Sequence, residues 1–344
     1  MKLLNAGVNP SGLVIIKDRY LLVANNNNYE IPDQDTVSVF DLKHDRLVKT
    51  LNHSSFNEPY TISYHKANHV AYVCNSGSPS VAGQPGTITL ISTIDHSIIG
   101  TIESNQLDGP SGMAIVGNYG YVLNYGAAGG VGSGNGKTIT VIDLKKKKVV
   151  GTIEVPLAPA AITHAKGKYL AVASYVDGNK GTGLVTLLKV DGINTKLIRT
   201  FKGFSGPFDI KFSPNNDYLY VTNFGSNNFA PFGRTLAVCS LLDTPEENKG
   251  EMIEVEVGIQ PSGVAVHPDG TIIVSCYNTL YSDPVNYKGL TAGQGSLVYI
   301  DPKKFKVIKT IPTPASPANV VIASDGSYTY TSCYIAGVVA GIKN

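Results

Sequence analysis

The chain has no Trp, only four Cys and three Met, and few charges: Asp, Glu, Lys and Arg make up 16% of its 344 residues. Soluble proteins usually carry about 25%. Charge this sparse argues against a disordered polyelectrolyte and against a charged coiled coil. Four Cys do not build a disulfide scaffold. No Cys-x-x-Cys or Cys/His spacing suggests zinc, so small buried thiols are expected. The net charge is +2 with His neutral, and nucleic acid is not indicated as a partner. No apolar run approaches the ~20 residues of a membrane helix. The opening Met1-Lys2-Leu3-Leu4-Asn5-Ala6-Gly7 lacks the apolar stretch of a secretory signal. The expectation is a cytoplasmic protein if the chain is complete, or a periplasmic or surface protein if it is already processed.

What is abundant is punctuation. The 36 Gly and 19 Pro exceed their usual share and favour many short strands joined by turns. A proline followed by an apolar run recurs at Pro10, Pro59, Pro110, Pro159, Pro207, Pro261 and Pro317, every 48 to 56 residues. In the third copy, Pro110-Ser111-Gly112-Met113-Ala114-Ile115-Val116 reads as a strand. Tyr119-Gly120-Tyr121-Val122-Leu123-Asn124 reads as its return, Thr138-Ile139-Thr140-Val141-Ile142-Asp143 as a third strand and Val149-Val150-Gly151-Thr152-Ile153 as a fourth. Four strands per ~50-residue unit are the signature of a β-propeller blade. The pattern predicts one all-β domain over 1–344, a seven-bladed β-propeller with four antiparallel strands per blade. The last copy has only three strands, over 318–323, 327–332 and 337–342. The N-terminal strand Lys2-Leu3-Leu4-Asn5 is therefore expected to complete the last blade and close the ring. The innermost strands, such as Val264-Ala265-Val266, are expected to pack on both faces.

The second strands end in a recurring phrase: Tyr220-Val221-Thr222-Asn223, Tyr72-Val73-Cys74-Asn75, Tyr121-Val122-Leu123-Asn124 and Leu22-Val23-Ala24-Asn25. With the following Thr-Val-Ile-Asp-Leu type of strand and a Lys-Val-x-x-Thr-Ile tail, the chain resembles the YVTN-family β-propellers, the repeats of surface-layer and YncE-like proteins. These share their architecture with lactonase propellers and are WD40-like in layout. The resemblance spans nearly the whole chain and implies fold more than function. Blades four, six and seven depart from it, with Ser174, Cys276 and Cys333 in place of Asn.

In such a ring the start of strand one, the end of strand two and the long connections after strand two share one end, and long loops are often functional. Five copies place an aromatic directly after the phrase: Tyr125, Tyr175, Phe224, Tyr277 and Tyr334. The loops add Tyr29, Phe229, Phe232, Tyr281 and Tyr287, and the axial ring adds Tyr60 and Phe208. Rigid rings with polar tips suit a protein, peptide or glycan surface. The expected partner site is therefore Tyr60, Asn124, Tyr125, Tyr175, Asp209, Asn223, Phe224, Tyr277, Tyr281 and Tyr334. For Asn124 and Asn223, stabilising a turn through nearby backbone is the competing role. The main expectation is a binding scaffold without catalysis or cofactor. One alternative is a lactonase-like hydrolase whose axial pocket holds one Ca2+ through Glu58, Asp108 or Asp209. Another is a structural surface-layer or virion component. No His stands in register with a Ser and an Asp as a triad would need. The run Lys145-Lys146-Lys147-Lys148 is read as a solvated hairpin turn.

Overall fold

In the computed structural model, which describes residues 1–26, 35–77, 86–126, 134–165, 168–177, 180–225, 232–242, 252–278, 280–283, 288–291 and 293–344, the chain winds through seven four-stranded antiparallel sheets. Each sheet is one blade of a seven-bladed β-propeller. Blade three runs Pro110–Val116, Tyr119–Asn124, Thr138–Asp143 and Lys148–Glu154, from the axis outward. Blades one, two, four and five repeat this order, and blade six does so with an insertion. A small ribbon, Leu280–Asp283 paired with Lys288–Thr291, is inserted between the second and third strands of blade six. The repeat pattern did not show it, because it sits inside a connection. Among the described residues no helix is long and apolar enough to cross a membrane.

Blade seven closes as the repeat count requires. Its sheet is completed by Lys2–Asn5, with Lys2 opposite Gly341, Leu3 opposite Ala340, Leu4 opposite Val339 and Asn5 opposite Val338. Leu4 is 4% exposed and packs with Leu13, Leu21, Val23 and Phe40 of blade one. The Lys2 ammonium lies 4.2 Å from the Tyr328 ring centroid and donates to Asp45 at 2.5 Å. The first strand therefore ties blade seven to blade one as well as filling its edge.

The core lies between blades. Alternate residues of the second and third strands face opposite neighbours, so these strands are buried throughout, as in Val70–Asn75. The inner strands are less buried than expected. Pro207–Phe212 and Pro317–Ile322 alternate buried with half-buried residues, because one side of each faces the axis and not a neighbouring blade.

Two irregularities repeat around the ring. Every inner strand shifts register just after its proline, as between Pro110 and Gly112. In blades one, two, three, four and six the outer strand shifts as well. One residue left without a partner in each is β-branched and exposed: Val48, Ile99, Val150, Ile198 and Ile308. A bulge twists the outer strand and spoils its free edge as a template for further pairing.

Candidate functional site

The axial mouth is built from one backbone device used seven times. The residue before each proline has a positive φ, between +46° and +63°, at Asn9, Glu58, Gly109, Ala158, Gly206, Gln260 and Ser316. Five of the seven are not Gly, although this region disfavours a Cβ. The carbonyl of each accepts the N–H of the residue following strand two, at 2.8 to 3.2 Å. Those seven donors, Asn26, Ser76, Tyr125, Tyr175, Phe224, Tyr277 and Tyr334, are thus equivalent positions around the axis. Blades three to seven carry aromatics there, and blades one and two carry polar residues.

The residues that follow each proline, where the register shifts, form a second equivalent set: Ser11, Tyr60, Ser111, Ala160, Phe208, Ser262 and Ala318. Two of these are aromatic. Phe208 stacks on Phe224 with centroids 4.8 Å apart, and Phe224 meets Tyr277 edge-on at 5.5 Å. Burial pushes the Tyr60 phenol well above its ordinary pKa, and Tyr277, Tyr125 and Asp209 push it further. The ring of blade two therefore stands within electrostatic range of groups from blades six, three and five. Burial also raises the phenols of Tyr125 and Tyr277, the latter with help from Tyr334. Raised phenol pKa values keep these three rings uncharged near neutral pH.

The expected site residues divide into two groups. Tyr60, Tyr125, Tyr277 and Tyr334 are half-buried and converge on the mouth. Phe208, which the sequence placed in the axial ring but not among the partner residues, joins them. Phe224 is 3% exposed and lies between Phe208 and Tyr277 in the stack. Tyr175 is 8% exposed, and its hydroxyl donates to the Gly225 carbonyl at 2.5 Å, linking blade four to blade five. Asn124 and Asn223 are each 1% exposed. The Asn124 amide donates toward Thr138 and Thr140 at 2.8 and 2.9 Å and accepts the Asp108 N–H at 3.2 Å. The Asn223 amide donates to Thr235 at 3.0 Å and accepts the Ser205 N–H at 3.2 Å. Both are internal clamps of their blades and not contact residues, because their polar atoms are spent and out of reach of solvent. A legible signal for this was available. Asn25, Asn75, Asn124 and Asn223 all stand across from a Thr at the start of the third strand, and the blades without Asn lack that Thr. The side chain of Tyr281, like that of Phe232, lies outside the described residues, as do Tyr29, Phe229 and Tyr287.

The carboxylates are dispersed. Asp209 accepts the Ile210 N–H at 2.8 Å, the Lys211 ammonium at 3.0 Å and the Val264 N–H of blade six at 2.9 Å. It is a tie between blades. Glu58 is 4% exposed at one of the positive-φ positions, and its N–H donates to Asp35 at 2.9 Å. The Asp108 N–H is held by Asn124. Among the described residues no group of three or more His, Cys, Asp or Glu gathers as a metal ion would need. The four Cys are free and buried, and burial pushes each thiol up to about 12, which leaves no thiolate for chemistry at neutral pH. Burial lowers His65 and His164. Both lie at the ends of inner strands, away from the aromatic mouth.

No protein-family model and no curated protein sequence matches the chain. Solved structures do. Hydrazine synthase from Kuenenia stuttgartiensis superposes with a TM-score of 0.73 at 16% identity, covering 98% of this chain and 96% of that one. The β-propeller domain of Cps50 (Swd1) from Myceliophteria thermophila gives 0.66 at 10% identity, covering 100% and 99%. A functionally unknown protein from Desulfotomaculum acetoxidans gives 0.64 at 13% identity, covering 90% and 89%. At these identities the likeness is one of fold, and the fold it shows is the seven-bladed β-propeller.

Proposed function

We propose that the chain is a binding scaffold that captures a protein, peptide or glycan at the axial mouth. The observation that carries this reading is the uneven rim: the half-buried Tyr125, Tyr277 and Tyr334, with the buried Tyr175 and Phe224, hold the equivalent positions of five consecutive blades, and polar residues hold the other two. Tyr60 and Phe208 extend the aromatic set inward. Rings of this kind offer broad apolar contact with a polar tip and few rotamers to freeze. They stand on strands and shared backbone bonds, so little ordering is left to oppose binding. The dispersed carboxylates and the buried thiols favour recognition over chemistry. The Tyr220-Val221-Thr222-Asn223 phrase and its variants support reading the chain as a YVTN-type propeller.

The test is a screen of immobilised peptides and glycans with the wild-type chain and with Tyr125→Ala/Tyr334→Ala. These two rings belong to the rim and not to the Phe208–Phe224–Tyr277 stack. The variant should lose at least about tenfold in affinity, near 1.4 kcal/mol, with an unchanged melting transition. Equal capture by the variant overturns the reading. So does chelator-sensitive turnover of lactones or esters by the wild-type chain, which would make the mouth an active site.

A further inference from the structure

The opposite end of the ring has a different surface, and the argument for it is independent of the aromatic mouth. The turns joining third and fourth strands recur once per blade, so the repeat holds them at one level around the rim. In blades one, three and six each turn begins with an Asp whose carboxylate bends inward to cap it. Asp41 accepts the Lys43 N–H at 3.0 Å, Asp143 those of Lys145 and Lys146 at 3.0 Å, and Asp301 those of Lys303 and Lys304 at 2.8 and 2.9 Å. The lysines of the same turns are exposed. Lys146 keeps 74% of its side chain in solvent even though it reaches back toward Asp143 at 3.7 Å, while Asp143 keeps 13%. Within these turns the Asp41 and Asp143 carboxylates are turned in, at 2% and 13% exposure, while the lysines beside them are turned out.

Other acids at this end are engaged while still exposed, Asp45 at 48% and Asp191 at 74%, and Asp243, Glu246, Glu247 and Glu251 of the blade-five turn lie outside the described residues. Asp45 pairs with Lys2 and Asp191 with Lys168, while Asp95, Asp269 and Asp325 cap Ser97, Thr271 and Ser327. The turns of blades two, four and five carry exposed aliphatics: Ile94 at 69%, Ile193 at 51% and Leu242 at 47%. Ile193 leans on blade three, where a Cβ placed on Gly151 would come within 3.1 Å of it.

We propose that this end of the ring docks on an anionic lipid bilayer. The lysine turns of blades one, three and six meet the headgroups, and Ile94, Ile193 and Leu242 enter the headgroup layer. Cations and aliphatics alternating at one level fit a flat anionic surface with an apolar interior. A nucleic-acid duplex is a rod that would cross only part of the rim and offers the aliphatic tips nothing apolar.

The experiment is co-sedimentation of the full chain with phosphatidylcholine vesicles, with and without phosphatidylserine, at low and high salt. Binding should require phosphatidylserine and weaken with salt. Each lysine near the surface contributes about fivefold, so replacing Lys145, Lys146, Lys147 and Lys148 by Glu should cut binding by about two orders of magnitude or more. Lys303→Glu/Lys304→Glu provides the same test in another blade if the fourfold variant fails to fold. Ile94→Ser should remove part of the binding that survives high salt. Wild-type chain left in the supernatant, or folded lysine variants that sediment like wild type, overturn the proposal. Retention of duplex DNA in place of vesicles also overturns it and assigns the face to nucleic acid. Loss of peptide or glycan capture at the mouth would leave this result untouched.

Discussion

At the scale of single residues, the same amino acid does different work according to what the backbone brings near it. Asp41 is 1% exposed, yet its carboxylate takes the Arg19 guanidinium at 2.8 Å, His44 at 2.9 Å and the Lys43 N–H. Arg19 first, then His44, holds its pKa far below the usual carboxylate range. A lowered folded-state pKa gives stability that is fully present above the unfolded value, about 3.9, and is lost as pH falls from there toward the folded value. Urea midpoints taken from about pH 6 down to about pH 2 should therefore fall for the wild-type chain. Asp41→Asn should start lower and fall less steeply. Parallel slopes would show that Asp41 does not carry the acid sensitivity. The Asn residues were half legible in the same sense. Their place at strand ends was visible in the sequence, with turn or pocket as the alternatives. The choice rested on Thr partners such as Thr138 and Thr235, which face them only once the sheet has formed.

At the scale of elements, bulges decide what the strands present. Periodicity located nearly every strand, because alternation and turn residues are local signals. It did not show that each inner strand slips register after its proline, the slip at which Tyr60 and Phe208 sit. Nor did it distinguish equivalent glycines. Gly12 and Gly112 hold the same position in blades one and three. A Cβ on Gly12 would stand 2.6 Å from the Tyr60 carbonyl oxygen and 2.7 Å from the Thr61 Cα, whereas one on Gly112 would meet nothing nearer than Leu123 Cδ1 at 3.6 Å. Gly12→Ala should cost about 1–3 kcal/mol by forcing two inner strands apart. Gly112→Ala should stay within about 0.5 kcal/mol. Denaturant melts of the pair provide the check, and equal losses would refute this account of blade contact.

At the scale of the whole molecule, the ring is held by polar ties at every blade junction. In blades five, six and seven a strand-two hydroxyl does this: Thr222 donates to Ser262, Ser275 to Ala318 and Ser332 to Ser11, at 2.8, 2.9 and 2.6 Å. Blades one and three use Ser11 and Ser111, blade two uses Ser76 and blade four uses Tyr175. The Ser332 bond spans nearly the whole chain and joins its two ends, as does the first strand. Removing residues 1–5 should cost about 3 kcal/mol or more through the loss of Leu4 from its cluster. It should also leave Val338–Lys343 as an open edge, with melting that depends on protein concentration as chains pair. A melt identical to the full-length chain would mean that the ring does not depend on this closure.

The sequence by itself determined the number of blades, the order of strands and the loan of the first strand to the last blade. These follow from a repeat, from local turn chemistry and from counting. Tertiary structure alone decided which aromatics stay half-exposed and which are buried, and which amides are spent inside a blade. The physical reason is that exposure and these hydrogen-bond partnerships depend on neighbours across the sheet or in the next blade, and no local pattern reports them until the sheets have formed and the ring has closed.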